Sequence, residues 1–261
     1  FVMVAIFVYL SGLKGVASTA VIKDVLMGSA MLFFGLYFPY HYAGGIGDLV
    51  DKIEALKPGY LLFPGGTTTL DVSWAMSTFV VMAAGFYMWP HFTTNTFSAK
   101  DPDVPRHNAV WLPVCHLFFI FPMLIGFTAI LVYLDNPLPT ADMAFLYIVR
   151  DTFPAWVLGL VGGAGALACM IPAADLLLST ALLISRNIYA KGICNGQEVS
   201  PERMQRVARW LILVLTAVAL YLSIFHAKLL VNLLLTGYSG VTQFFPLIVL
   251  GLFWKQSSRM G

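Results

Sequence analysis

The sequence predicts an all-helical membrane protein. Three observations carry that reading. The chain is 59% hydrophobic and 11% charged over 261 residues, whereas soluble domains carry roughly 25% charged residues. Its apolar residues fall in runs near the roughly 20 residues that cross a bilayer as a helix. Its basic residues cluster in the short segments between those runs. The net charge of +2 is spread without a basic stripe, which excludes a nucleic-acid partner. Three cysteines cannot build a disulfide framework. Phe1 opens in mid-run without a Met, so the chain reads as a piece of a longer protein.

Seven spans follow in order, at 1–12 (incomplete), 20–40, 73–97, 108–133, 154–186, 207–225 and 229–254. Between the second and third, Ile46, Leu49, Val50, Ile53 and Leu56 recur at helical spacing, predicting a short amphipathic helix on the surface. Lys14, Lys23, Lys100, Arg106, Arg186, Lys191, Arg203, Arg206, Arg209, Lys255 and Arg259 fall on one set of alternate loops. Only Lys52, Lys57, Arg150 and Lys228 fall on the other. Basic residues mark the cytoplasmic side. The expected topology is multi-pass in the cell (inner) membrane, with the C-terminal end of this chain in the cytoplasm.

The third span carries a break. Gly85, Pro90 and His91 stand together in "GFYMWPHF". Proline removes a backbone donor, and in lipid each freed group needs a partner within the protein. Pro172 sets up a second interruption in the fifth span, three residues before Asp175. Asp175 is the acidic residue deep within a span, and such a carboxylate is a functional candidate by default. Gly159, Gly162, Gly163 and Gly165 predict close helix packing or a point of flexure.

Enzyme signatures are lacking: no HExxH, CxxC or Walker loop occurs, and no cofactor is expected. "GYSG" (Gly237 to Gly240) has the look of an intramembrane serine-protease nucleophile. That chemistry needs a nearby base, and His226 is poorly placed. Small residues that let helices approach explain the motif better.

Four motifs resemble the sodium:solute symporter family, in that family's order. They are "SGLKGVASTAVIKDVLM", "FTTNTFSAKDPDVPRHNAV", "LLSTALLISRNIYAK" and "FFPLIVLGLFWK". The resemblance implies an inverted-repeat fold of five-plus-five core helices. The chain would hold the end of core helix 4 and core helices 5 to 10, as one partial transporter domain over 1–261. Such folds bind solute at discontinuous helices. "MWPH" and "IPAADLLLSTALLISRNIY" look most like the monocarboxylate and amino-acid permease branch.

Ungapped comparison with sugar transporters of the family puts their sugar-binding Asn on Trp89, their gate Tyr on His91, a Lys on His116 and a sugar-binding Gln on Leu234. Trp89 and Leu234 remove two sugar partners. A small anion would suit Trp89, His91 and His116, since a protonated imidazole can hold a carboxylate. The resemblance also places two sodium-ligating hydroxyls on Ile171 and Pro172, a carbonyl ligand on Ala168 and an Asp on Ala20. Hard cations need oxygen ligands, so the substitutions argue against the usual sodium site. Asp175, with His91 and His116, then becomes a candidate proton path. The expected partners are a small-molecule solute and the lipid bilayer, and the coupling ion is a proton or sodium. The alternative reading is a transporter-like sensor domain of a histidine-kinase receptor.

Overall fold

The structure, a computed structural model, describes residues 2–62, 72–194, 199–225 and 230–255. It is helical throughout these residues, with no strand among them. The first helix, α1, is Val2–Phe38, 37 residues without interruption. This corrects the expected loop between a span at 1–12 and one at 20–40. Lysine is a good helix former, so Lys14 and its neighbours continue the helix. At about 1.5 Å per residue α1 is about 55 Å long, well beyond the roughly 30 Å hydrocarbon core.

A π-helical turn, Pro39–Ala43, ends α1, and Gly44 leaves it with φ 97°. The left-handed conformation suits glycine. The predicted amphipathic helix follows as α2, Ile46–Leu56. Leu49 and Ile53 are buried with Ala43 and Leu124, while Ile46, Val50 and Leu56 stay exposed. Helix α3 (Val72–Gly85) and helix α4 (Pro90–Phe97) meet at a bend of 45°. Next come α5 (Asp103–His116) and α6 (Ile120–Val132), joined by a tight turn at Leu117–Phe119 into one long span. A short helix that the sequence reading left as loop, α7 (Ala144–Thr152), leads into α8 (Ala155–Leu183). Ten π-helical residues, Ile184–Ile193, extend α8. Helices α9 (Pro201–Phe225), α10 (Leu230–Val241) and α11 (Phe244–Phe253) complete the chain.

Five helices or joined helices among the described residues are long and apolar enough to cross a membrane, and the bent α3–α4 pair makes up to six. They account for the expected spans after the first, which is absorbed into α1.

Helix α8 is the hub. Ile171, Ala174, Leu178 and Ala181 pack with Ala208 and Ile212 of α9, and Ala20 of α1 joins them. Further along, Val161 packs with Phe34 and Phe38 of α1, Ile125 of α6, and Ile148 and Val149 of α7. Lipid tails are as apolar as these side chains, so close fit and hydrogen bonding hold such helices together. Gly35 shows the fit: a Cβ there would lie 2.6 Å from the Phe121 Cβ and 2.9 Å from its backbone oxygen. The α8 glycines differ. A Cβ at Gly159, Gly162, Gly163 or Gly165 would meet nothing within 4 Å, so the close packing expected there is not formed within the described residues.

Candidate functional site

The break between α3 and α4 is built residue by residue. Phe86–Met88 tightens into a 3-10 turn, and Trp89 is extended at φ −65°, ψ 136°. A residue before proline is pushed out of the helical region. Pro90 then opens α4, where its missing N–H costs no helical bond. The Thr93 hydroxyl lies 3.2 Å from the Tyr87 carbonyl and 3.2 Å from that of Trp89, which already accepts the Thr93 N–H. Gly85 and Pro90 thus flank the break.

Helix α10 seats this joint. Trp89 lies over Gly237, where a Cβ would come 2.8 Å from the indole Cη2. Its ring meets Tyr238 edge-on, at 5.5 Å between centroids. One turn on, the Thr242 hydroxyl donates to the Val81 carbonyl at 2.8 Å, and the Cα of Gly85 faces Thr242 and Tyr238. This is the work of "GYSG": Gly237 receives an indole. The Ser239 hydroxyl donates to the Leu235 carbonyl at 2.9 Å, an ordinary helical back-bond.

Past the break, α4 turns one polar face to α8. His91 and Asn95 are four apart on α4, and Asp175 and Ser179 are four apart on α8, so each pair shares a face. Asn95 Nδ2 donates to Asp175 Oδ2 at 2.9 Å, and His91 lies within electrostatic reach of that carboxylate. Three buried atoms here have no protein partner: His91 Nδ1, Asp175 Oδ1 and Ser179 Oγ. A buried polar atom left unsatisfied costs about 1–3 kcal/mol. Here α4 and α8 together carry three such atoms.

The predicted residues therefore divide. Trp89, His91 and Asp175 gather at the α4–α8–α10 joint, with Trp89 and His91 rings 6.1 Å apart. His116 does not join them. It is exposed, stacks on Phe119 at 5.3 Å, and is separated from His91 by the stacked rings of Phe86 and Phe92. Pro172 does not interrupt α8, which runs unbroken from Ala155 to Leu183. Its effect is narrower: lacking an N–H, it leaves the carbonyl four residues back, that of Ala168, without its helical donor. The sequence reading missed Asn95 and Ser179. Their i, i+4 spacing from His91 and Asp175 was the available signal.

A second polar cluster lies on the loop side of α6 and α7. Tyr133 donates to Asp151 Oδ2 at 2.7 Å, and Arg150 Nε donates to Oδ1 at 2.7 Å. The Arg150 and Tyr133 hydrogen bonds hold the Asp151 carboxyl below its usual range. Burial and the Asp151 bond push the Tyr133 phenol up. Nearby, the Tyr42 hydroxyl and Thr152 Oγ1 lie 2.7 Å apart, tying the end of α1 to α7.

Comparison with known proteins agrees with this architecture. The model of the sodium:solute symporter family matches residues 1–261. The uncharacterized symporter YhjB of Bacillus subtilis is 35% identical over 96% of this chain and 50% of its own length. The uncharacterized symporter YodF of the same organism is 30% identical over 99% of the chain and 51% of its length. A monocarboxylate transport permease protein of Rhizobium johnstonii is 25% identical over 97% of the chain and 51% of its length. The chain spans about half the length of the curated relatives it matches. No solved structure gives a significant match. With its helical architecture, its broken span and a family match along the whole chain, this chain belongs to the sodium:solute symporter family.

Proposed function

We propose that the chain forms part of a secondary active transporter for a small solute, a monocarboxylate or an amino acid, driven by protons rather than by sodium. The solute would sit at the α3–α4 break, against Trp89 and His91, in one transporter domain of five-plus-five inverted-repeat design. Alternating access would rock one bundle of helices against the other. The C-terminal end of the chain would face the cytoplasm of the cell that carries it in its inner membrane. The names of two relatives point to the solute class: the monocarboxylate permease, and the osmoregulated proline transporter OpuE of Bacillus subtilis, 22% identical over 99% of this chain.

One observation carries the coupling proposal. Asp175 joins α8 to the half-helix beyond the break through Asn95, and keeps its second oxygen free of any protein donor. A carboxylate so placed can hold a proton on Oδ1 without losing the Asn95 bond. His91, in electrostatic reach of Asp175, links that proton to the solute side. Movement of α4 against α8 would change the access of both groups to water.

The test is uptake of labelled lactate, pyruvate and proline by the full-length protein in liposomes, under a pH gradient or a sodium gradient. The expected result is uptake driven by the pH gradient alone and lost in Asp175→Asn. Uptake that requires sodium refutes the coupling. Binding without uptake would favour the sensor reading.

A further inference from the structure

Helix α9 has two faces of different chemistry. Ala208, Ile212 and Thr216 are buried, and Ala208 and Ile212 pack with the α8 cluster. The face turned away from α8 begins with charge and ends with alkyl side chains. Glu202, Gln205, Arg206, Arg209, Trp210 and Leu213 line a recess of about 550 Å³ on it. Their spacing of three and four residues stacks them along one side of the helix. Helix α9, Pro201–Phe225, is long and apolar enough to cross a membrane. The recess therefore lies where the span meets the polar boundary.

The order of the groups carries the argument. Inward from the start of α9 the face offers a carboxylate (Glu202), two guanidiniums (Arg206 and Arg209) and an indole (Trp210). Leu213, Leu220 and Ile224 then continue it, all exposed. At about 1.5 Å per residue, Glu202 stands about 6 Å outside Arg206 and about 10 Å outside Arg209. A Glu and an Arg one turn apart can close on each other. Here they do not: neither Glu202 nor Arg206 makes an ion pair among the described residues. Arg203 is occupied elsewhere, its guanidinium 5.7 Å from the centre of the Tyr189 ring.

A phospholipid with a free amine in its headgroup has the complementary order. Its ammonium lies outermost, then its phosphate, its glycerol esters and its acyl chains. Guanidinium groups hold phosphate through charge-assisted, often bidentate bonds. Tryptophan favours the headgroup level of the bilayer. Basic residues alone would take any anionic lipid. The unpaired carboxylate one turn further out selects a headgroup that also carries a cationic donor.

We propose that this face of α9 is a binding site for phosphatidylethanolamine. The phosphate sits between Arg206 and Arg209, and the ammonium reaches Glu202. The Trp210 ring covers the glycerol esters, and one acyl chain follows Leu213, Leu220 and Ile224. Phosphatidylglycerol has no ammonium to offer Glu202. Phosphatidylcholine has one whose methyl groups replace the N–H donors. The site is separate from the α4–α8 contact that holds Asn95 and Asp175, so it does not depend on the solute or coupling reading.

The experiment is a melting series of the full-length protein in detergent micelles. The micelles contain phosphatidylethanolamine, phosphatidylglycerol or phosphatidylcholine at equal mole fraction. A ligand that binds only the folded state raises the melting midpoint by mass action. Phosphatidylethanolamine should raise it saturably, by several degrees more than either other lipid. Arg206 is exposed, so Arg206→Gln should melt like wild type without lipid and lose that excess. Glu202→Gln should bring phosphatidylethanolamine level with phosphatidylglycerol. Equal rises with all three lipids overturn the proposal. So does an excess that survives both substitutions, the result expected if another part of the full-length protein covers this face. A larger rise with phosphatidylglycerol also overturns it, and marks a site for anionic lipid instead. If either variant fails to fold, the wild-type ranking of the three lipids still decides.

Discussion

Gly85→Ala should be among the most damaging single-carbon additions in the chain. The added Cβ would collide with the Thr242 hydroxyl, touch Tyr238 Cδ1 at 3.0 Å and lie 3.5 Å from the Thr242 Cβ. Thr242 would have to turn away, giving up its 2.8 Å bond to the Val81 carbonyl. Overpacking of this kind costs about 1–3 kcal/mol. The lost bond adds about 0.5–1.5 kcal/mol. The expected destabilisation is therefore about 2–4 kcal/mol. A double-mutant cycle isolates it. Thr242→Ala alone should cost about 1 kcal/mol, the worth of its bond. In that background Gly85→Ala should cost little more, because the obstructing hydroxyl is gone. The coupling between the two sites should be about 1–3 kcal/mol. Melting midpoints of the four full-length proteins in detergent give the order. Strict additivity, or a Gly85→Ala midpoint equal to wild type, would refute the close seating of the break on α10.

Gly35→Ala should push α1 and α6 apart at Phe121, where backbone rather than a movable side chain stands in the way. A loss of about 1–3 kcal/mol is expected, read as a lowered midpoint. Gly237→Ala meets only the rim of the Trp89 indole, so it should cost less, and Trp89→Phe should relieve it. An equal loss in both Trp89 backgrounds would show that the two residues do not touch. The Tyr133–Asp151 cluster should respond to pH at both ends. Asp151 has a lowered pKa, so its contribution is full above the ordinary carboxylate value of about 4 and is lost as pH falls through the lowered one. Tyr133 has a raised pKa, so its contribution is full below about 10 and is lost as pH rises through the raised value. Both losses should shrink in Tyr133→Phe. The Asp151 side chain is 36% exposed, so the effect should be small. Melting curves that stay parallel across the pH range would sink this account.

Hydropathy was enough to find the spans after the first, because each buries its own backbone bonds and little else decides its state. Local chemistry was enough to find the break, since Gly85 and Pro90 act on the backbone beside them. What escaped depends on partners far away in the chain. Asn95 and Asp175 are 80 residues apart, and spacing along either helix marks a shared face without telling which other face it meets. His116 was grouped with His91 through the resemblance to sugar transporters, but two phenylalanine rings stand between them. Lys14 and Lys23 were read as loop markers because lysine is rare in lipid. Lysine is nonetheless a strong helix former, and α1 runs through both positions.

The unbroken length of α1 has a mechanical consequence. A close backbone contact, Gly35 against Phe121, lies near one end. From there the helix extends 33 residues to Val2, an arm of about 50 Å at 1.5 Å per residue. A stiff rod pivoting at a fixed point near one end is a lever. A tilt of about 5° at Gly35 sweeps the far end through about 4 Å for an arm of that length. Rearrangements too slight to disturb the aromatic packing around Phe34 would arrive at the other end of the rod as a displacement the size of a side chain.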